Sequence, residues 1–152
     1  MMTRNLFEAR YLQLKIHASS WQDALAKAAD PLIQDGGIDT AYIDDMVEAI
    51  KKLGPYIVLA PGLALGHARP SAAVHRPCVA IATLDEPVAF GSEHNDPVDI
   101  VVIFAAVDDD AHIELLRRLV IFFNAPDSLN SLRAACTTKD ALDIVCAINT
   151  GE

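Results

Sequence analysis

The segment Gly62-Leu63-Ala64-Leu65-Gly66-His67-Ala68-Arg69-Pro70 brings together residue types that could do chemistry. Gly62 and Gly66 bracket a short apolar piece and allow close backbone approach or a positive φ. His67 follows at once, Arg69 lies two residues on, and Pro70 stiffens the exit. In extended backbone, residues two apart share a side, so the imidazole and the guanidinium point the same way. That pairing suits a nucleophile accepting an anionic group, because the fixed cation stabilises charge on the transferring oxygens. The same cation favours the neutral imidazole, whose lone pair is then free to attack. An ordinary loop histidine would account for the same residues, since short Gly-His loops are common.

His112 follows Asp108-Asp109-Asp110 at a helix start just after an apolar run. In α/β sheets the carboxyl ends of strands and the helix N-termini after them gather ligands and anions. His112 would therefore hydrogen-bond a phosphoryl oxygen if it converges on His67; the alternative is a solvent-facing first-turn histidine. The three aspartates would repel a phosphate and read better as cap and dipole partners. His17 is expected on the outer face of a strand, His75 in a turn before Arg76-Pro77, and His94 in the polar turn 91–97. No histidine pair has HExxH or HxH spacing, so a zinc-dependent hydrolase built on His67, His94 and His112 has little support. There is no Walker loop, GxGxxG or GxSxG, which leaves nucleotide hydrolysis and triad acyl transfer without a basis.

The elements that must position these groups follow from periodicity. In residues 11–17, Leu12, Leu14 and Ile16 alternate with polar residues as in a half-buried strand. Ser20 and Asp23 form a helix start, with Trp21, Ala24, Leu25, Ala28 and Leu32 at helical spacing and Gly36-Gly37 as the stop. Pro31 is expected to kink this helix or end it early. A second helix starts near Asp39 or Thr40, carries Ile43, Met46, Val47, Ile50 and Leu53 on one face, and closes at Gly54-Pro55. Residues 56–60, 77–84 and 99–107 are strand-like runs; 61–76 reads as irregular and rich in turns. The third run is apolar on both faces, as in a central strand covered on each side. A helix with Ile113, Leu116, Val120 and Phe123 follows, ending near Asn124-Ala125-Pro126, then short helices over 126–135 and 138–148. The expected fold is α/β: one domain over residues 1–152, a central mixed β-sheet flanked by helices on both faces. Strand order does not follow from these patterns.

Twelve basic residues against 21 acidic ones give a formal charge of −9. That balance argues against a general nucleic-acid-binding face and favours encounter with a basic protein surface. No stretch reaches the ~18 uninterrupted apolar residues of a membrane helix. Arg4, Glu8 and Arg10 alternate charge where a signal peptide would have its apolar centre. Cys78, Cys136 and Cys146 form no CxxC and sit among apolar neighbours, as small buried hydrophobes do. A reducing cytoplasm is the expected compartment.

Taken in order, Ser20-Trp21-Gln22-Asp23-Ala24, the run GPYIVLAPGLALGHARP over 54–70, Val88-Ala89-Phe90-Gly91, Asn95-Asp96-Pro97-Val98 and Asp110-Ala111-His112 resemble one family across nearly the whole chain. It is the Enzyme IIA domain of the mannitol/fructose class of the phosphoenolpyruvate-dependent sugar phosphotransferase system; the long run is most similar to the ascorbate-type branch. The resemblance implies a phosphotransferase that takes a phosphoryl group from the phosphocarrier protein HPr on His67. It would pass the group to a cysteine of Enzyme IIB, serving a membrane Enzyme IIC indirectly. His112 matches the family's second histidine and would orient or neutralise the phosphoryl group. Gly66 stands where the family often has proline, and no arginine matches the one upstream in mannitol members. Gly66 and Arg69 are therefore assigned to binding the phosphoryl group, with Arg69 supplying the positive charge. No cofactor, metal or nucleic acid is implied. A regulatory module of the same family, sensing phosphorylation without feeding transport, is the alternative.

Such a relay needs positioning and charge stabilisation more than covalent work by the protein. His67 should therefore lie in a shallow depression with an apolar rim. Leu63, Leu65 and Ala68 are candidates for that rim or, equally, for the core.

Overall fold

The computed structural model describes residues 9–125 and 127–145. Arg4, Glu8, Pro126, Cys146 and the end of the expected last helix at Ile148 lie outside the described residues. Alternation at the start of the chain produces β1 (Leu12–Ile16), which follows a single 3-10 turn. Ser20 then caps α1 (Trp21–Gln34), its side chain accepting from the Asp23 N–H at 3.1 Å. The Asp23 carboxylate accepts in return from the Ser19 N–H at 2.9 Å, so the start is satisfied from both directions.

Pro31 neither ends nor shortens α1, which runs three residues past it. A proline lacks the N–H that the carbonyl four residues back would accept. That carbonyl belongs to Lys27, and the Gln13 side-chain amide of β1 donates to it at 2.7 Å. The sheet thus supplies the missing donor, a tertiary contact that helix periodicity does not reveal.

Asp39 precedes α2 (Thr40–Leu53), and Gly54, at φ +87°, terminates it. Met46 and Ile50 of its expected apolar face are buried, whereas Leu53 is 71% exposed. The chain then forms β2 (Val58–Ala60), β3 (Leu63–Gly66), β4 (Cys78–Val88) and β5 (Val98–Ala105). The appearance of β3 inside the segment read as irregular is the main correction to the expected elements. Three helices close the chain: α3 (Asp109–Asn124), α4 (Ser128–Ala134) and α5 (Thr138–Val145).

The five strands form one mixed sheet in the order β1-β4-β5-β3-β2. β1 runs parallel to β4 and β3 parallel to β5, while β4–β5 and β2–β3 are antiparallel. Central β5 is apolar and buried on both faces from Ile100 to Ala105. In the β3–β5 register Gly66 sits opposite Ile103. A Cβ on Gly66 would lie 2.6 Å from the Ile103 side chain and 3.0 Å from that of Leu25, with Met46 close by. Gly66 and Ile103 therefore face α1 and α2. The alternate residues, Leu63, Leu65, Ile100, Val102 and Phe104, face the other way, toward the side where His112 of α3 meets Phe104. Helices thus cover both faces, as expected.

Leu63 and Leu65 belong to the core, whereas Ala68 packs on the core and also lines the depression beside His67. In α3 the buried residues are Leu115, Leu119, Phe122 and Phe123. Of the expected face Phe123 is buried and Leu116 packs against the core, but the buried stripe is rotated away from Ile113, 65% exposed, and Val120, exposed too. Cys78 is buried as expected, but Cys136 is exposed. Among the described residues no helix is long and apolar enough to cross a membrane.

Candidate functional site

β3 ends at Gly66, and His67 is the first residue past its carboxyl end. β5, parallel to it, ends at Ala105 and leads through Asp108 into α3. Two parallel strands therefore release their loops at the same edge of the sheet, where ligands collect in α/β folds. The Asp108 carboxylate accepts from the Ala111 N–H at 2.8 Å and so caps α3, as read from the sequence. Such a cap stabilises a helix by about 1 kcal/mol, and here it also fixes the turn that carries His112.

The structure brings His67 and His112 together, with ring centroids 5.3 Å apart. Phe104, at the end of β5, stacks on His67 at 4.8 Å and touches His112 at 5.3 Å. Tyr56 stands edge-on to His67 at 5.6 Å, and its hydroxyl donates to the His67 carbonyl at 3.3 Å. The imidazole is thus held by rings on three sides.

His67 Nδ1 lies 2.8 Å from the Leu65 carbonyl oxygen. A carbonyl only accepts, so Nδ1 carries the proton and Nε2 keeps the lone pair. Burial, and then the charge on His112, hold the His67 pKa below the ordinary imidazole range, against the opposing pull of the Leu65 hydrogen bond. The nucleophilic, neutral form is therefore the resting form near neutral pH. A titration of the His67 ring by NMR should give a midpoint below the ordinary value of ~6.5; a midpoint at or above it contradicts this account. Because the folded pKa is depressed, this group's contribution to stability is full above the unfolded pKa. It is lost as pH falls through the folded pKa.

His112 Nδ1 is buried and, among the described residues, has no hydrogen-bond partner. Leaving a buried polar nitrogen unpaired costs about 1–3 kcal/mol.

Both histidines line an open depression of about 510 Å³, and Arg69 lines it with them. Arg69 is exposed and makes no ion pair with a described residue. Gly66 lies beneath, and its bare Cα lets the strand end pack against Leu25 and Ile103. Tyr56, Leu53, Asp45 and Glu48 also line the depression. Sequence reading passed over these four as site residues. Asp45, Glu48 and Leu53 recur at helical spacing on the outer side of α2, a signal that was present; Tyr56 looked like the start of a strand.

The other histidines lie apart from the depression. His17 pairs with Asp85 at 3.2 Å and His75 with Asp39 at 2.9 Å, while His94 is exposed in its turn. Burial pushes the Cys78 thiol up to about 11, so it is a packing residue and not a nucleophile.

The model of the family described as "Phosphoenolpyruvate-dependent sugar phosphotransferase system, EIIA 2" matches residues 5–147. The ascorbate-specific PTS system EIIA component of Shigella boydii is 36% identical over 146 residues, covering 95% of each chain. The solution structure of the mannitol-specific cryptic phosphotransferase enzyme IIA CmtB from Escherichia coli superposes with a TM-score of 0.84 at 26% identity, over 95% of this chain and 96% of that one. A complex of enzyme IIA and phosphorylated enzyme IIB for mannitol, from Escherichia coli, matches with a TM-score of 0.80 at 22% identity, over 92% of this chain and 96% of that one. At that identity the last likeness shows the fold.

Proposed function

The chain belongs to the EIIA 2 family of the phosphoenolpyruvate-dependent sugar phosphotransferase system, and we propose that within this phosphotransferase His67 Nε2 is the atom that carries the phosphoryl group. The observation that supports it most is the Nδ1 hydrogen bond to Leu65, which frees Nε2 beside a second imidazole at the mouth of an open depression.

In the first step the His67 Nε2 lone pair attacks the phosphorus of the phosphohistidine on HPr. The donor P–N bond breaks, and its electron pair returns to the donor imidazole. The proton stays on His67 Nδ1, donated in a hydrogen bond to the Leu65 carbonyl, so the phosphorylated ring is cationic and a good leaving group. In the second step a cysteine thiolate of Enzyme IIB attacks the same phosphorus, the P–Nε2 bond breaks, and His67 departs as neutral imidazole.

Phosphoryl transfer leaves a protein chiefly the tasks of alignment and charge stabilisation. Arg69 supplies positive charge to the phosphoryl oxygens, and His112 donates to one of them. Gly66 serves by keeping the strand end close to the core beneath the phosphoryl site. The exposed side chains of Leu53 and Tyr56 give partners an apolar footing. Asp45 and Glu48 favour partners whose contact face is basic.

The ascorbate-specific relative supports ascorbate as the molecule whose transport is served, with a membrane Enzyme IIC downstream and the cytoplasm as the place of exchange. Mixing the phosphorylated chain with its cognate Enzyme IIB tests the relay. The label should move to the Enzyme IIB cysteine faster than it hydrolyses; a label that only hydrolyses would favour the regulatory alternative.

A further inference from the structure

We propose that Tyr42 is a positioning residue for phosphoryl transfer, its hydroxyl stapling the backbone just after His67 to the end of the strand that carries Phe104. The proposal rests on His67 being the residue that accepts the phosphoryl group. Tyr42 lies on α2 and is fully buried. Its hydroxyl oxygen accepts from the Ala68 N–H at 2.9 Å. Its single proton goes to the Phe104 carbonyl at 2.9 Å, with the Ala68 carbonyl a longer alternative at 3.2 Å. One hydroxyl therefore satisfies two backbone groups at the same edge of the sheet, one in the loop after β3 and one near the end of β5.

The residues joined are the ones that matter to the site. Ala68 is the immediate neighbour of the nucleophile, and the Phe104 ring is the platform on which the His67 ring stacks at 4.8 Å. The Leu65 carbonyl fixes the imidazole from within, Tyr56 holds the His67 carbonyl from outside, and Tyr42 pins the backbone between them. Burial pushes the phenol's ionisation upward, so the hydroxyl keeps the proton it donates. In-line transfer tolerates little error: a misplacement of ~1 Å can cost ~10²-fold in rate.

Tyr42→Phe keeps the ring and its packing but strands the Ala68 N–H and the Phe104 carbonyl. In the full chain, its maximal rate of phosphoryl acceptance from phospho-HPr should fall about 10–100-fold. Half-saturation by HPr should stay within about twofold of wild type, because the exposed footing is untouched. Nitrogen chemical shifts of His67 should change from a single Nδ1–H tautomer to a mixture. An unchanged rate, or a slower rate with the tautomer intact, overturns the proposal.

Thr83→Val provides a control for general loss of stability, since it strands the Lys15 N–H (2.9 Å from Thr83 Oγ1) at the other end of the β4–β5 ladder. It should keep the wild-type rate, and an equal slowing there would reduce Tyr42 to a purely structural role. If Tyr42→Phe fails to fold, amide exchange in the unaltered protein decides. Ala68 should exchange as slowly as the interior of β5, and exchange at an exposed-loop rate refutes the staple. A wild-type chain that takes up nothing on His67 refutes the relay itself, whereas a competent wild type with an indifferent Tyr42→Phe refutes the staple alone.

Discussion

His67→Ala should acquire no acid-labile label when incubated with phosphoenolpyruvate, Enzyme I and HPr, while the wild-type chain is labelled. The effect is expected to be complete because His67 is the imidazole of the depression whose proton is fixed on Nδ1 by a carbonyl, leaving the Nε2 lone pair free. His112 lies 5.3 Å away, but among the described residues its Nδ1 has no acceptor to fix the tautomer as Leu65 does for His67. His17, His75 and His94 lie outside the depression, and two of them are already paired with carboxylates. The substitution should leave the fold in place, since His67 is only half-buried and no backbone group depends on its ring beyond the Leu65 carbonyl. A folded His67→Ala chain that still takes up label would remove the nucleophile from its assigned position.

His112→Ala should accept the phosphoryl group and pass it on about 10²–10³-fold more slowly, the cost of losing one donor aimed at developing charge. The separation of roles follows from geometry. Nε2 of His67 keeps its lone pair through the Leu65 hydrogen bond, which does not involve His112, so the nucleophile survives. The charge it must receive loses its closest imidazole partner. Removing His112 also takes away a neighbouring positive charge that lowers the His67 pKa, so the His67 midpoint should rise toward the ordinary value. Unchanged rates in both half-reactions would show His112 to be a first-turn histidine with no part in the transfer.

Much of this site can be read in the sequence because its chemistry is concentrated in one short run. Gly66, His67 and Arg69 sit within four residues, and their types suggest a nucleophile facing an anion. The Asp108 cap was equally legible, because its spacing to the helix is local. The strand β3 was not. Four residues ending in glycine carry no periodic signal, and what makes them a strand is pairing with β5, distant in the chain. The early end that Pro31 suggested is avoided for a related reason: the donor that rescues the Lys27 carbonyl belongs to β1. The rotation of α3 is another case. Its apolar residues support two faces, and only packing against the sheet decides that Leu115 and Leu119 go inward while Ile113 stays out. Tyr42 and Phe104 look in sequence like ordinary core residues. Their roles appear only when the ends of β3 and β5 meet.

The central claim is chemical and atom-specific: phosphorus bonds to Nε2 of His67, because Leu65 holds the proton on Nδ1. Phosphorus–nitrogen couplings in the phosphorylated, ring-labelled chain measure this directly. The account predicts one coupled nitrogen, Nε2 of His67, with Nδ1 still protonated. Coupling to Nδ1 of His67, or to a nitrogen of any other residue, would contradict it.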